Sequence, residues 1–235
     1  MHLFFVSGAI GDQYLLSEDE SKHCTRVLRL KPGDELRMTD GAGKLFQGIL
    51  VDSDPKKARV EIHSMIREEP LHPWKLHIAM APTKNIERFE WFLEKATEIG
   101  IDEITPLYCH HSERETLNMK RLEKVLITAL KQSLRLWLPL LNPPVFFKPF
   151  VQQERIGQRF IAWCGAGETF PLYETCQKGK DTLVMIGPEG DFSAEEVALA
   201  KQQGYVPVSL GKNRLRTETA GIVACHTMNL INRMG

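Results

Sequence analysis

Apolar positions along this chain follow two rhythms, and the change from one to the other divides it. Over residues 1–69 the pattern comes in short bursts: ELRMT (35–39), LFQGILVD (45–52) and ARVEIHSM (58–65) place apolar side chains at near-alternate positions. A period of two belongs to a half-buried strand. DGAGK and SDPKK separate these runs, and both are turn chemistry. Strands at such spacing predict a small barrel or sandwich. Ahead of them lies SEDESKHCTRVLRLKPGD, in which Val27, Leu28 and Leu30 are expected to pack while Arg26, Arg29 and Lys31 stay in solvent.

The stretch REEPLHPW (67–74), with two prolines and several charges, marks the boundary. Beyond it, over residues 74–235, strand and helix patterns alternate. KLHIAMA (75–81) reads as a strand. NIERFEWFLEKATEIG then puts Ile86, Phe89, Leu93 and Ala96 on one helical face, with Gly100 as the stop. DEITPLY follows as a strand, and MKRLEKVLITALKQSLRLWL (119–138) repeats the helical spacing through Leu122, Leu126, Ala129 or Leu130, Ser133 and Trp137 until Pro139 ends it. RFIAWCG and TLVMIG are later strands. Alternation of this kind predicts an α/β domain, its mostly parallel sheet covered by helices on both faces.

The densest chemistry lies near the C-terminus. TLVMI (182–186) is a continuous apolar run, as a buried parallel strand requires. It runs into GPEGD, where Gly187 and Gly190 allow close backbone approach and Pro188 stiffens the turn. Ser193 and Glu196 form a capping box for the next helix, which Gly204 ends. YVPVSL (205–210) is another strand, followed by the basic loop GKNRLR and a last helix with Ala220, Val223, Ala224, Thr227, Met228 and Ile231 along one face. Strand, helix, strand is a crossover between parallel strands, so both loops leave the same edge of the sheet. Open α/β sheets bind ligands at that edge. A lone GPEG is a common turn and a basic loop is usually just solvated; pairing the two in one unit is what suggests a crevice. Neither G-x-x-x-x-G-K-[ST] nor G-x-G-x-x-G occurs, which argues against a nucleoside triphosphatase or a dinucleotide dehydrogenase.

Composition adds exclusions. Hydrophobic residues make up 43% and charged residues 26% of the 235, as in a globular protein. No apolar run approaches the roughly 20 residues of a membrane span, and the N-terminus lacks a secretory signal, so the expected location is the cytoplasm. Five scattered cysteines without a C-x-x-C pair suggest neither disulfides nor a zinc site. His110 and His111 lack a ligand partner at metal-binding spacing, so no metal is expected. Thirty basic and thirty acidic residues cancel, so nucleic-acid binding must rest on local placement of charge.

The segments GPEGDFS (187–193) and LGKNRLRTETA (210–220) resemble the ribosomal RNA small subunit methyltransferase E (RsmE) family of the SPOUT superfamily, which shows GPEGG-F-S and LG-x-R-I-L-R-T-E-T-A. EKATEIG (94–100), SER (112–114) and HCTRVLRLKPGD (23–34) are similar to further family stretches, so the resemblance covers nearly the whole chain. Asp191 stands where the family has a glycine, Asn213 and Arg214 stand where Arg and Ile are usual, and ALKQSLR (129–135) matches only in part. The resemblance implies S-adenosylmethionine as cofactor and N3 of one uridine in small-subunit (16S) ribosomal RNA, in an assembled or nearly assembled subunit, as target. It implies a PUA-like RNA-binding β-barrel over residues 1–69, a SPOUT domain with a trefoil knot over 74–235, and a homodimer. Two other readings stay open: a knotted methyltransferase acting on another RNA, and a non-catalytic ribosome assembly factor.

With the cofactor and target that the resemblance implies, residue roles follow. The cofactor crevice is expected to use Ile186, Gly187, Pro188, Glu189, Gly190, Leu210, Gly211, Leu215, Arg216 and Thr217. Uridine N3 sheds a proton on methylation, leaving negative charge over its flanking carbonyls, and a guanidinium fork suits that charge. Arg216 is the first candidate for that role, with Arg114 and Arg135 behind it. Glu218 and Glu189 are acid/base candidates, although Glu218 could cap its helix and Glu189 could tie down its own loop. Thr217 and Thr219 could bond substrate or cap. His23, Arg26, Arg29 and Lys31 form the expected RNA-binding patch.

Overall fold

In the computed structural model of the chain, residues 2–8, 11–165 and 167–233 are described. The outermost expected domain limits, Met1 and Gly235, lie outside them. The chain forms two units, Met1–Leu71 with Ile127–Leu138, and His72–Leu126 with Pro139–Gly235.

The alternating N-terminal runs become one five-stranded sheet. Its strands are β1 (Leu3–Phe5), β2 (Gln13–Leu15), β3 (Glu35–Thr39), β4 (Lys44–Asp52) and β5 (Arg59–Glu68), in the order β1-β3-β4-β5-β2. β1 runs parallel to β3 and the other pairs are antiparallel. The two end strands share no ladder among the described residues; the Tyr14 hydroxyl links them by bonding Ser7 N and O at 2.9 Å each. The inward positions, among them Phe4, Leu36, Met38, Leu50 and Val60, make the core. β4 bends at Gly48, where a Cβ would lie 2.5 Å from the Glu61 carbonyl, so only glycine fits that close approach.

Helix α1 (Glu18–Lys22) is capped by Ser17 and widens into a π turn over His23–Val27. The extra residue in that turn changes which side chain faces in. Cys24 takes the core position, and Val27, expected to pack, is 66% exposed.

Ile127–Leu138 joins this unit through the last half of α3 (Met119–Ser133). Lys131 pairs with the buried Glu20 at 2.6 Å, and Leu136 O accepts the Gly43 N–H at 2.9 Å. The helix was expected to run to 138 but stops at Ser133. Leu134 takes a left-handed φ of 57° while Arg135 N bonds Leu130 O at 3.1 Å, the closing pattern of a Schellman turn. Trp137 then pairs with Ala42 as a β-bridge.

The second unit is built on parallel strands throughout its described pairings. In chain order these are β6 (Leu76–Met80), β7 (Glu103–Tyr108), β8 (Leu140–Leu141), β9 (Val145–Phe146), β10 (Gln158–Ala162), β11 (Phe170–Pro171), β12 (Thr182–Ile186) and β13 (Val206–Ser209). Sheet order is β11-β13-β10-β12-β6-β7-β8, with β9 also on β7. The helices are α2 (Ile86–Ile99), the start of α3, α4 (Phe147–Val151), α5 (Leu172–Thr175), α6 (Ala194–Gln202) and α7 (Thr217–Arg233).

The two-residue period of β6 sorts its neighbours. His77 and Ala79 face α4, with the His77 ring edge-on to Phe150. Met80 faces α2 and α7, where a Cβ on Gly221 would meet Phe92 and Met80 at 2.7–2.8 Å. That close approach shifts the buried face of the last helix, which keeps Ala224 and Met228 of the expected set. Thr217, Gly221, Ala224, Cys225, Met228 and Asn229 are buried, while Val223 and Ile231 are only half-buried. Asn229 can enter the core because its amide donates to Gly100 O at 2.9 Å.

Candidate functional site

Parallel strands send their following loops to one edge, and three such loops meet there. The first follows β12 (186–191), the second follows β13 (208–217), and the third, not anticipated, follows β10 (162–165), which lies between the other two strands. Together with Arg88 of α2 they enclose a crevice of about 790 Å³. Every expected cofactor residue lines it except Gly190, whose missing side chain makes room for His111 (2.9 Å from an ideal Cβ). The β10 loop could have been found: RFIAWCG leads into a glycine-bearing segment just as TLVMI does.

The β12 loop is tied down on both sides. Glu189 Oε1 accepts the Lys84 backbone N–H at 3.0 Å. Arg114 grips the same β6–α2 connection, Nε to the Thr83 and Lys84 carbonyls at 3.2 Å each and Nη2 to Lys84 O at 2.7 Å. A guanidinium fork matched to carbonyls in this way is holding backbone. His111 Nδ1 lies 3.0 Å from Asp191 O, and His110 N donates to Glu196 Oε1 at 2.9 Å. Among the described residues no group of three or more His, Cys, Asp or Glu is arranged to hold a metal.

Asp191 adopts φ 64°, a left-handed conformation that suits the glycine of the resembled family. Its carboxylate accepts the Phe192 N–H at 2.8 Å and, from the β10 loop, the Cys164 N–H at 3.0 Å. The Cys164 thiol is exposed. Burial and the Asp191 charge raise its pKa, against a lowering by Arg214.

In the β13 loop, Arg214 and Arg216 are exposed, and Arg216 makes no side-chain hydrogen bond or ion pair among the described residues. Glu218, in the first turn of α7, is buried; its Oε2 has no partner among the described residues, and its Oε1 sits 3.9 Å from Arg88 Nε. Arg88, absent from the sequence-based candidates, is thus the counter-cation of a buried carboxylate and a wall of the crevice. Thr217 is buried and Thr219 half-buried. Arg135 lies after the end of α3, in the first unit.

Of the expected RNA-binding patch, Arg26, Arg29 and Lys31 are exposed. His23 is not a surface cation like them: it packs edge-on to Phe4 at 5.9 Å, and burial, then the Lys131 charge, lower its pKa. Three of the cysteines (Cys24, Cys109, Cys225) are buried. No described helix is long and apolar enough to cross a membrane.

Comparison with known proteins gives matches along nearly the whole chain. Residues 70–229 match the RNA methyltransferase domain family, and residues 16–62 match the RNA methyltransferase PUA domain family. The ribosomal RNA small subunit methyltransferase E of Mesomycoplasma hyopneumoniae is 31% identical, over 94% of this chain and 96% of its own. A Porphyromonas gingivalis protein assigned as an rRNA-methyltransferase has a crystal structure that superposes with TM-score 0.89 at 38% identity, covering 98% of this chain and 99% of that one. A Legionella pneumophila protein, assigned as a methyltransferase and solved with the cofactor SAM bound, superposes with TM-score 0.89 at 29% identity, covering 98% and 97%.

Proposed function

This chain belongs to the RNA methyltransferase family, among the ribosomal RNA small subunit methyltransferase E proteins, and on that premise we propose that it transfers a methyl group from S-adenosylmethionine to N3 of one uridine in small-subunit ribosomal RNA. The observation that carries this reading is the three-loop crevice, walled by Ile186–Glu189, by Leu210 and Gly211, and by the β10 loop. Such a wall fits a flat adenosine group, since backbone N–H and C=O groups reach it without intervening side chains.

When bound, the cofactor supplies an electrophilic methyl on sulfur. The chain supplies placement and charge. Arg216, with no competing partner among the described residues, is free to meet the negative charge that develops on the uracil carbonyls. Glu218 is buried outside the crevice lining, and its ion pair holds Arg88, which does line the crevice, beside the reacting groups. Arg114, its fork committed to the Thr83 and Lys84 carbonyls, acts on the reaction through the loop it holds. Arg26, Arg29 and Lys31 present the RNA-binding charge of the PUA-like domain, which we bound at residues 1–69, with 74–235 as the SPOUT domain.

A trefoil knot is supported by the strand order. The chain leaves β13, on the far side of β10 from β12, yet its next helix packs on α2 and β6. A homodimer is supported by apolar surface on β11, α5 and α7, where Phe170, Tyr173 and Leu230 are 46%, 64% and 48% exposed. A cytoplasmic location follows from an rRNA substrate.

Mass spectrometry of 16S ribosomal RNA from cells with and without this gene tests the reading. One N3-methyluridine is expected to disappear with the gene, and rRNA with unchanged methylation defeats it.

A further inference from the structure

We propose that Asp191 is a positioning residue, one that this chain has in place of a family glycine and that clamps the β12 loop to the β10 loop so that the cofactor crevice is formed before ligand arrives. The inference rests on the cofactor reading of the crevice. Three observations converge on it. Asp191 accepts a left-handed backbone that glycine would adopt without strain, so its side chain must compensate. Its two carboxylate oxygens are both used, one on Phe192 N in its own loop and the other on Cys164 N across the crevice. Both Asp191 and Cys164 line the cavity, so the bond between them is part of its wall.

A carboxylate accepting backbone N–H bonds makes a strong, charge-assisted tie. Glycine at 191 removes that tie while relieving the backbone. Asparagine also tolerates the left-handed region and retains one acceptor oxygen. The two replacements therefore separate backbone comfort from the clamp. Cys164 provides an internal reporter, since its thiol is exposed and the Asp191 charge helps to raise its pKa. Loss of the carboxylate should make it more nucleophilic, and loss of the clamp should make it more accessible.

The test compares the full-length protein with Asp191→Gly and Asp191→Asn. Calorimetry with S-adenosylmethionine should show about tenfold weaker binding for D191G and within about threefold of the parent for D191N. At saturating cofactor, kcat should change by less than about twofold, because the clamp acts on binding. Labelling of Cys164 by a thiol reagent, assigned by peptide mass spectrometry, should be several-fold faster in D191G than in the parent, with D191N between. D191G that binds the cofactor as tightly as the parent overturns the positioning role. Equal labelling rates in D191G and parent overturn the clamp itself. A parent that binds no S-adenosylmethionine defeats the cofactor reading instead, and the labelling rates then decide the clamp alone.

Discussion

Two polar regions of the same parallel sheet are built on opposite plans. Inside the sheet, His77 Nε2 lies 2.8 Å from Thr105 Oγ1, and Asn142 Nδ2 donates to Thr105 Oγ1 at 2.8 Å and Glu103 Oε1 at 2.6 Å. These groups satisfy one another, and burial, opposed by Glu103 and aided by Arg155, lowers the His77 pKa to about 4. At the carboxyl edge, Arg216 is exposed without a side-chain partner among the described residues, and Glu218 Oε2 is buried without one. Buried polar groups normally find partners. Unpartnered atoms also occur away from the crevice, at Glu20 Oε2, Tyr205 Oη and Asn229 Oδ1, so what marks the open region is the place of Arg216 on the crevice wall. The closed network therefore reads as structure and the open one as function, although both are rich in ionisable side chains.

The sharpest way to break this contrast is at Arg216. Its replacement by alanine should lower methyl transfer about 10²–10³-fold, as for loss of one charge-stabilising donor. Stability should change by less than about 0.5 kcal/mol, and urea unfolding beside single-turnover rates measures both. A stability loss matching the rate loss would move Arg216 to the closed region.

His77 should show the reverse. Folded, it holds its proton more weakly than at its ordinary value of 6.5, so the unfolded chain binds the extra proton between that pH and about 4. Its contribution is complete above pH 6.5 and is lost as pH falls through this window, by up to roughly 3 kcal/mol. His77→Gln should flatten that part of the stability–pH curve relative to the parent. Parallel curves would remove His77 from the account.

Arg114 sits between the two plans: it is satisfied, yet the connection it holds is bonded to Glu189 of the crevice wall. Arg114→Ala should raise KM for the cofactor about tenfold as the loops it holds loosen. Arg114→Lys should not restore it, because one ammonium cannot reproduce a planar fork on two carbonyls. Full rescue by lysine would show that charge alone matters there.

Much of the scaffold was legible because local rules write it. The capping box of Ser193 and Glu196 is present, Gly100 closes α2 with φ 123°, and TLVMI is a fully buried strand. The paired loops could be placed at one edge because a crossover between parallel strands leaves no alternative. Other features escaped for physical reasons. Val27 reads as core by its type, but a π turn rotates it outward. The last helix reads inward through Val223 and Ile231, but the closest contact belongs to Gly221, a residue that hydrophobicity ignores. Arg88 looks like any solvated helix charge until α7 brings Glu218 to it.

By itself, then, the sequence determined the element types, their order, the edge at which ligand chemistry must gather and, through LRTETA, the family. Only the tertiary structure decided that β10 lies between the two motif strands and adds a third wall, that Ile127–Leu138 joins the first unit, and that Asp191 reaches Cys164. Helix caps, turns and alternation act within a few residues, so a linear reading captures them. Strand order and cross-loop bonds are set by packing between segments far apart in the chain, where many partners compete and only the folded arrangement selects one.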